Sequence, residues 1–310
     1  MRKLINLLIM VLAVSIGEIA AESRNDFNID QALIPEDEIL SGGPPRDGIP
    51  AIDNPQFISA NQAYVLQSSD AVLGIAYNGI VKAYPIKILN WHEIVNDAFN
   101  GEPIVVSFCP LCGSGMAHSA KIDGSTYTFG VSGLLYNSDV LFYDRQTESL
   151  WSQLKQQAIS GAMKGERLKS LPVSHTTWLD WKTRHPKTLA LSMETGYARD
   201  YGRSAYDNYA NSRKLWFPVK QTNQRYHPKE RVLGVDINGA IKAYPFVELG
   251  KTSGEFADTL TNQTVRVRFN KEHQTASIFD QQGHELPSVT TFWFAWYAFH
   301  PETGVFTLDP

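Results

Sequence analysis

The sequence predicts an α+β, β-rich fold built from two internally duplicated copies packed together, the first carrying an inserted functional elaboration. Two observations lead there. Val72-Leu73-Gly74-Ile75-Ala76-Tyr77-Asn78-Gly79-Ile80-Val81-Lys82-Ala83-Tyr84-Pro85 returns as Val232-Leu233-Gly234-Val235-Asp236-Ile237-Asn238-Gly239-Ala240-Ile241-Lys242-Ala243-Tyr244-Pro245. A second pair of anchors follows, Thr176-Thr177-Trp178-Leu179-Asp180-Trp181 through His185-Pro186 against Thr291-Phe292-Trp293-Phe294-Ala295-Trp296 through His300-Pro301. The first pair is offset by 160 residues and the second by 115, so the first copy holds a net 45 more between its anchors. That surplus lies between Pro85 and Thr176, the interval that also holds both cysteines of the chain.

Along the chain, residues 1–21 have the order of a secretory signal: basic Arg2 and Lys3, an apolar run from Leu4 to Ile16, and the small pair Ala20-Ala21. The run falls short of the roughly 20 apolar residues of a comfortable membrane span. No cysteine stands there, which excludes a lipoprotein. The expectation is a periplasmic or secreted protein with no stable membrane span after cleavage. Residues 22–57 include Ser41-Gly42-Gly43-Pro44-Pro45 and read as an extended lead-in. Residues 58–215 form the first copy and 216–310 the second. Asn78-Gly79 and Asn238-Gly239 favour the positive φ angles of tight hairpins. Ile86, Leu89, Ile94, Val95 and Ala98 space out as one helix over residues 86–99, closed by Gly101. Residues 103–108 read as a buried strand and Asp139–Tyr143 as another.

With 43% hydrophobic and 19% charged residues in 310, the chain can bury a large core. Removing residues 1–21 takes away Arg2, Lys3 and Glu18, which moves the formal charge from −4 to −5. A mildly acidic chain without a basic run argues against nucleic acid as a partner. The partner class left open is a small molecule or a protein. No Gly-rich phosphate loop, serine elbow or paired-carboxylate motif is present, so no nucleotide cofactor is indicated.

The chemistry concentrates in Phe108-Cys109-Pro110-Leu111-Cys112-Gly113, because the second copy keeps the framework without thiols. Two thiols with a two-residue gap can face one point, which leaves three readings. In the leading one, Cys109 and Cys112 bind copper or zinc with help from Met116, His118, His175 and His92. Copper comes first because of export and the thioether. In the second, the pair is a thiol-disulfide oxidoreductase. The glycines that follow, Gly113 and Gly115, disfavour the long helix that normally lowers such a thiol's pKa. In the third, a structural disulfide tidies a turn in a non-catalytic binding module, whose stacking platform is Trp91, Trp151, Trp178 and the tyrosines. His92 and His175 have no counterpart in the second copy, whereas His185 matches His300 and reads as scaffold. Asp144, Arg145, Asn137 and Glu93 are candidate supports for the primary ligands. The bland reading of Asp144 is a turn locked by local hydrogen bonds.

Several of these motifs resemble one family. Asp47-Gly48-Ile49-Pro50, Trp91-His92-Glu93-Ile94-Val95-Asn96-Asp97, Cys109-Pro110-Leu111-Cys112 and Tyr143-Asp144-Arg145-Gln146-Thr147-Glu148-Ser149 are similar to those of the DUF3179 family. So are Phe129-Gly130, Asn137-Ser138 and His175-Thr176-Thr177-Trp178. The likeness spans roughly residues 46–310. The family's function is unknown, so the resemblance implies no reaction and no residue role.

Overall fold

The computed structural model describes residues 23–308; the signal segment read at residues 1–21 lies outside them. About 40% of the chain is strand and 10% helix, and beside two short two-stranded ribbons the strands gather into five larger sheets set out as the blades of a five-bladed β-propeller. The first sheet runs Ser174–Thr177, Ala71–Tyr77, Ile80–Pro85, Leu189–Leu191, Phe57–Ser59. The second runs Ser170–Leu171, Ser114–Ser119, Glu102–Cys109, Ile94–Phe99. The third runs Gln157–Ala158, Leu150–Ser152, Asp139–Asp144, Phe129–Tyr136, Ile39–Ser41. The fourth runs Val289–Phe292, Arg231–Ile237, Ala240–Pro245, Gly304–Val305, and the fifth Glu255–Leu260, Gln263–Asn270, Thr275–Phe279. Among the described residues no helix is long and apolar enough to cross a membrane.

The two Asn-Gly hairpins share a register. Val72 faces Pro85 as Val232 faces Pro245, and Tyr77 faces Ile80 as Ile237 faces Ala240. Each is flanked by an antiparallel strand that leads into a Trp-x-x-Trp helix, Trp178–Arg184 or Trp293–Phe299. A short parallel strand lies on the other side of each. Gly74 and Gly234 are fixed by close approach: a Cβ on Gly74 would stand 2.3 Å from the Trp181 ring, and one on Gly234 2.2 Å from Trp296. Lys82 and Tyr84 meet Asp97 as Lys242 and Tyr244 meet Asp258. His185 and His300 each lie with their ring centroid 4.2 Å from that of the preceding tryptophan.

Two segments depart from the sequence reading. The helix expected over residues 86–99 ends at His92, and Ile94–Phe99 is a strand paired with Glu102–Cys109. Glu93 breaks the helix with φ 57° and ψ −36°. The β-branched pair Ile94-Val95 then fits a pleated, buried surface better than a helix. Gly101, with φ 81°, serves the turn between the two strands instead of capping a helix. The lead-in is not only a surface strap. Its strand Ile39–Ser41 completes the third sheet, Phe57–Ser59 completes the first, and Phe27, Ile29 and Ile34 are buried.

A buried cluster of two thiols and two carboxyls

Cys109 ends the strand Glu102–Cys109 and pairs with Ser114, which opens the next strand. The tight loop between them carries Cys112 and turns on Gly113 at φ 62°, a left-handed position that favours glycine. The Phe292 ring also closes the space above that glycine, 3.0 Å from where a Cβ would sit. The loop is pinned from the fourth sheet: the carbonyl of Cys112 accepts from Phe292 N at 2.8 Å and from Thr291 Oγ1 at 2.9 Å. Both cysteines are buried and free.

A second tight turn meets this loop. Strands Phe129–Tyr136 and Asp139–Asp144 are joined by Asn137 and Ser138, at φ 51° and 63°, the positive pair that a two-residue hairpin requires. The turn is held by Lys220 N on Asn137 Oδ1 and by Ser138 Oγ on the Phe217 carbonyl, both at 2.8 Å. It presents the Ser138 carbonyl to both sulfurs, 3.7 Å from Cys109 Sγ and 3.4 Å from Cys112 Sγ. It also delivers Asp139. The two sulfurs and a carboxylate oxygen of Asp139 all lie within 4.8 Å of one another. Asp139 Oδ2 accepts from Leu154 N at 3.0 Å, while Oδ1 is buried without a hydrogen-bond partner.

Glu93 adds a fourth acid. Its left-handed backbone is held by Phe108 N donating to its carbonyl at 2.7 Å. Burial, with the charge of Asp139 adding to it, pushes the Glu93 carboxyl up to about 8. Burial pushes Asp139 up to about 7 and raises both thiols. Glu93 and Asp139 make no ion pair among the described residues. Four groups that can each carry a negative charge are thus buried together without a compensating cation, a costly arrangement unless they stay protonated or meet a metal.

A cavity of about 170 Å³ adjoins the cluster at Glu93. Glu93, Leu111 from the cysteine loop and Val140 beside Asp139 line one part of it, and Tyr206, Trp216 and Phe217 another. Tyr206 stacks on the half-exposed Trp216, and the buried Tyr209 leans on the same ring. Tyr209 Oη has no partner, and its ionisation is suppressed first by burial and then by the nearby thiols.

The histidines expected as ligands sit outside this group of donors. His92 is spent on Pro50 O at 2.8 Å and Tyr201 Oη at 2.7 Å. His118 is fully buried one strand away, opposite Val105 and Ser170, with neither ring nitrogen partnered. His175 packs edge-on against Phe108, its Nδ1 unpartnered. Met116 shares the apolar cluster of both cysteines. Asp144 locks its own turn, accepting from Thr147 N, Thr147 Oγ1 and Trp151 Nε1. Arg145 pairs with Asp53 at 2.7 Å rather than with Asp144. Asp139 is the donor that the sequence reading passed over. The available signal was its position immediately after the Asn-Ser turn, where a carboxylate heads the apolar run Val140-Leu141-Phe142.

No curated protein and no solved structure matches the chain. A family match covers residues 46–303, and its family carries the description "protein of unknown function". The cysteine loop, the Asn137-Ser138 turn and Glu93 all fall inside that span, and the chain belongs to the DUF3179 family.

Proposed function

We propose that this chain is a metal-binding protein whose centre is formed by Cys109, Cys112 and Asp139, with Glu93 beside it. The carrying observation is the unpartnered Asp139 Oδ1 among two thiols and a second carboxyl, all buried and without an ion-pair partner among the described residues. A divalent ion supplies the missing positive charge and draws the protons off both sulfurs. Three protein ligands leave a fourth position free, the pattern of a site that handles a ligand rather than a closed structural knuckle. Glu93, beside the three donors, also lines the neighbouring cavity.

Copper stands first on the sequence because of Met116 and export. A carboxylate in the donor set is harder than a thioether or an imidazole and moves the preference to zinc. The oxidoreductase reading loses support because an attacking thiol needs a depressed pKa, and burial raises both of these. Export to the periplasm or the medium remains part of the proposal, on the order of regions in residues 1–21. N-terminal sequencing of protein from its own host tests it, an intact Met1 in the cytosolic fraction being the contrary result. We also propose that residues 58–215 and 216–310 descend from one unit. The shared hairpin registers and the paired Gly–Trp contacts support this.

Elemental analysis of protein purified without chelators tests the centre. About one equivalent of zinc or copper per chain is expected. Replacing both Cys109 and Cys112 by Ser should abolish it, and Asp139→Asn should weaken it, while His118→Gln leaves it in place. Protein that is metal-free and takes up neither added ion overturns the reading.

A further inference from the structure

A second cavity, of about 420 Å³, opens where the second and third sheets meet the fourth. Lys155 and Arg167 come from one side, and Trp296, Phe299, His300 and Asp236 from the other. Its volume is in the range of sites for small organic ligands.

The charges in this cleft are unbalanced. Among the described residues neither Lys155 nor Arg167 has a carboxylate partner. Arg167 Nη2 donates to the Lys155 carbonyl at 3.2 Å, which folds the guanidinium back over Lys155. The ammonium of Lys155 is held below its usual range by burial first and then by the charge of Arg167. The Lys155 charge is also felt at His300. One carboxylate, Asp236, lines the cleft on the His300 side, and its Oδ1 accepts from Gly239 N at 3.2 Å. Two cations without carboxylate partners at one end of a lined cavity form a place for an anion, and the guanidinium fork suits a carboxylate or phosphate. Beside His300 and Asp236, the opposite wall carries aromatic rings. Trp296 is buried against Gly234, Phe299 stands beside it, and Met116 and Leu154 close the floor.

We propose that this cleft binds a small organic anion, a carboxylate or phosphate monoester with an aromatic or aliphatic body. The acid group meets Lys155 and Arg167, and the body lies against Trp296, Phe299 and Met116. The site is separate from the Cys109–Cys112–Asp139 group. Met116 and Leu154 belong both to its floor and to the apolar cluster around the thiols, so the two sites are neighbours.

Calorimetric titration of the full protein tests this with four probes: phenyl phosphate, benzoate, inorganic phosphate and benzyl alcohol. Metal content is measured on the same samples, so a failed metal reading leaves this result interpretable. Saturable binding of phenyl phosphate or benzoate is expected, with inorganic phosphate and benzyl alcohol each much weaker. Lys155→Met and Arg167→Gln should each weaken it about tenfold, the size of one charge-assisted hydrogen bond. Arg167 is exposed and has no ion-pair partner among the described residues, so Arg167→Gln remains decisive if Lys155→Met disturbs folding. Absence of saturable binding by both aromatic anions overturns the proposal. So does equal binding of benzyl alcohol, or of inorganic phosphate, or affinity that neither variant lowers.

Discussion

His118 and Glu93 show how single residues carry strain in this core. His118 is buried with both ring nitrogens unpartnered, and burial holds its pKa down at about 4. A histidine that protonates less readily in the folded chain than in the unfolded one contributes stability that is whole above about 6.5. That contribution is lost as the pH falls toward the folded value. The raised carboxyls of Glu93 and Asp139 work in the opposite direction over the same range, so the His118 share is read as a difference. Between pH 7 and pH 4, His118→Leu should lose less stability to denaturant than the unaltered chain. A variant with an unchanged slope would show that His118 is not the group that titrates. Glu93 sits at φ 57° and ψ −36°, a region that costs a side-chain-bearing residue about 1–3 kcal/mol. Glu93→Gly should stabilise the metal-free protein by about 1 kcal/mol, while Glu93→Gln, which keeps the backbone position, should not. Thermal melts of the pair separate backbone strain from carboxyl burial.

At the scale of elements, the Trp-x-x-Trp helices are set by what their glycine partners lack. Gly74→Ala would place a methyl 2.3 Å from the Trp181 ring. Gly234→Ala would do the same at 2.2 Å from Trp296. Each should cost about 1–3 kcal/mol, the usual penalty for overpacking, read as a lowered Tm with the fold retained. Much of this layer was legible in the sequence, because Asn78-Gly79 and Asn238-Gly239 announce hairpins and apolar runs announce buried strands. The break at Glu93 was not legible. Ile86 to Phe99 keeps apolar residues at helical spacing, and only pairing with Glu102–Cys109 decides for a strand. The thiols were found because they occur once against a repeated framework. Asp139 was missed because a metal-ligand search from sequence favours histidine. What brings this carboxylate to the sulfurs is a turn about thirty residues downstream.

At the scale of the molecule, the two halves of the chain meet at the cysteine loop. Thr291 and Phe292, from the half that carries no cysteine, both bond the carbonyl of Cys112. Thr291→Val removes one of these bonds while keeping the shape of the side chain. It should weaken metal binding about tenfold, as loss of a group that orients a ligand commonly does, with little change in Tm. Affinity unchanged in a competitive chelator titration would show that the loop holds its form without that clamp. The half without cysteines thus holds the cysteine loop in place. The clamp also sets a timetable. Thr291 lies 179 residues beyond Cys112, so a ribosome working at about 5–20 residues/s makes the thiols roughly 10–35 s before the strand that closes over them. In that interval the loop lacks its clamp from the second half. The loop takes its clamped form only after nearly the whole chain has been made.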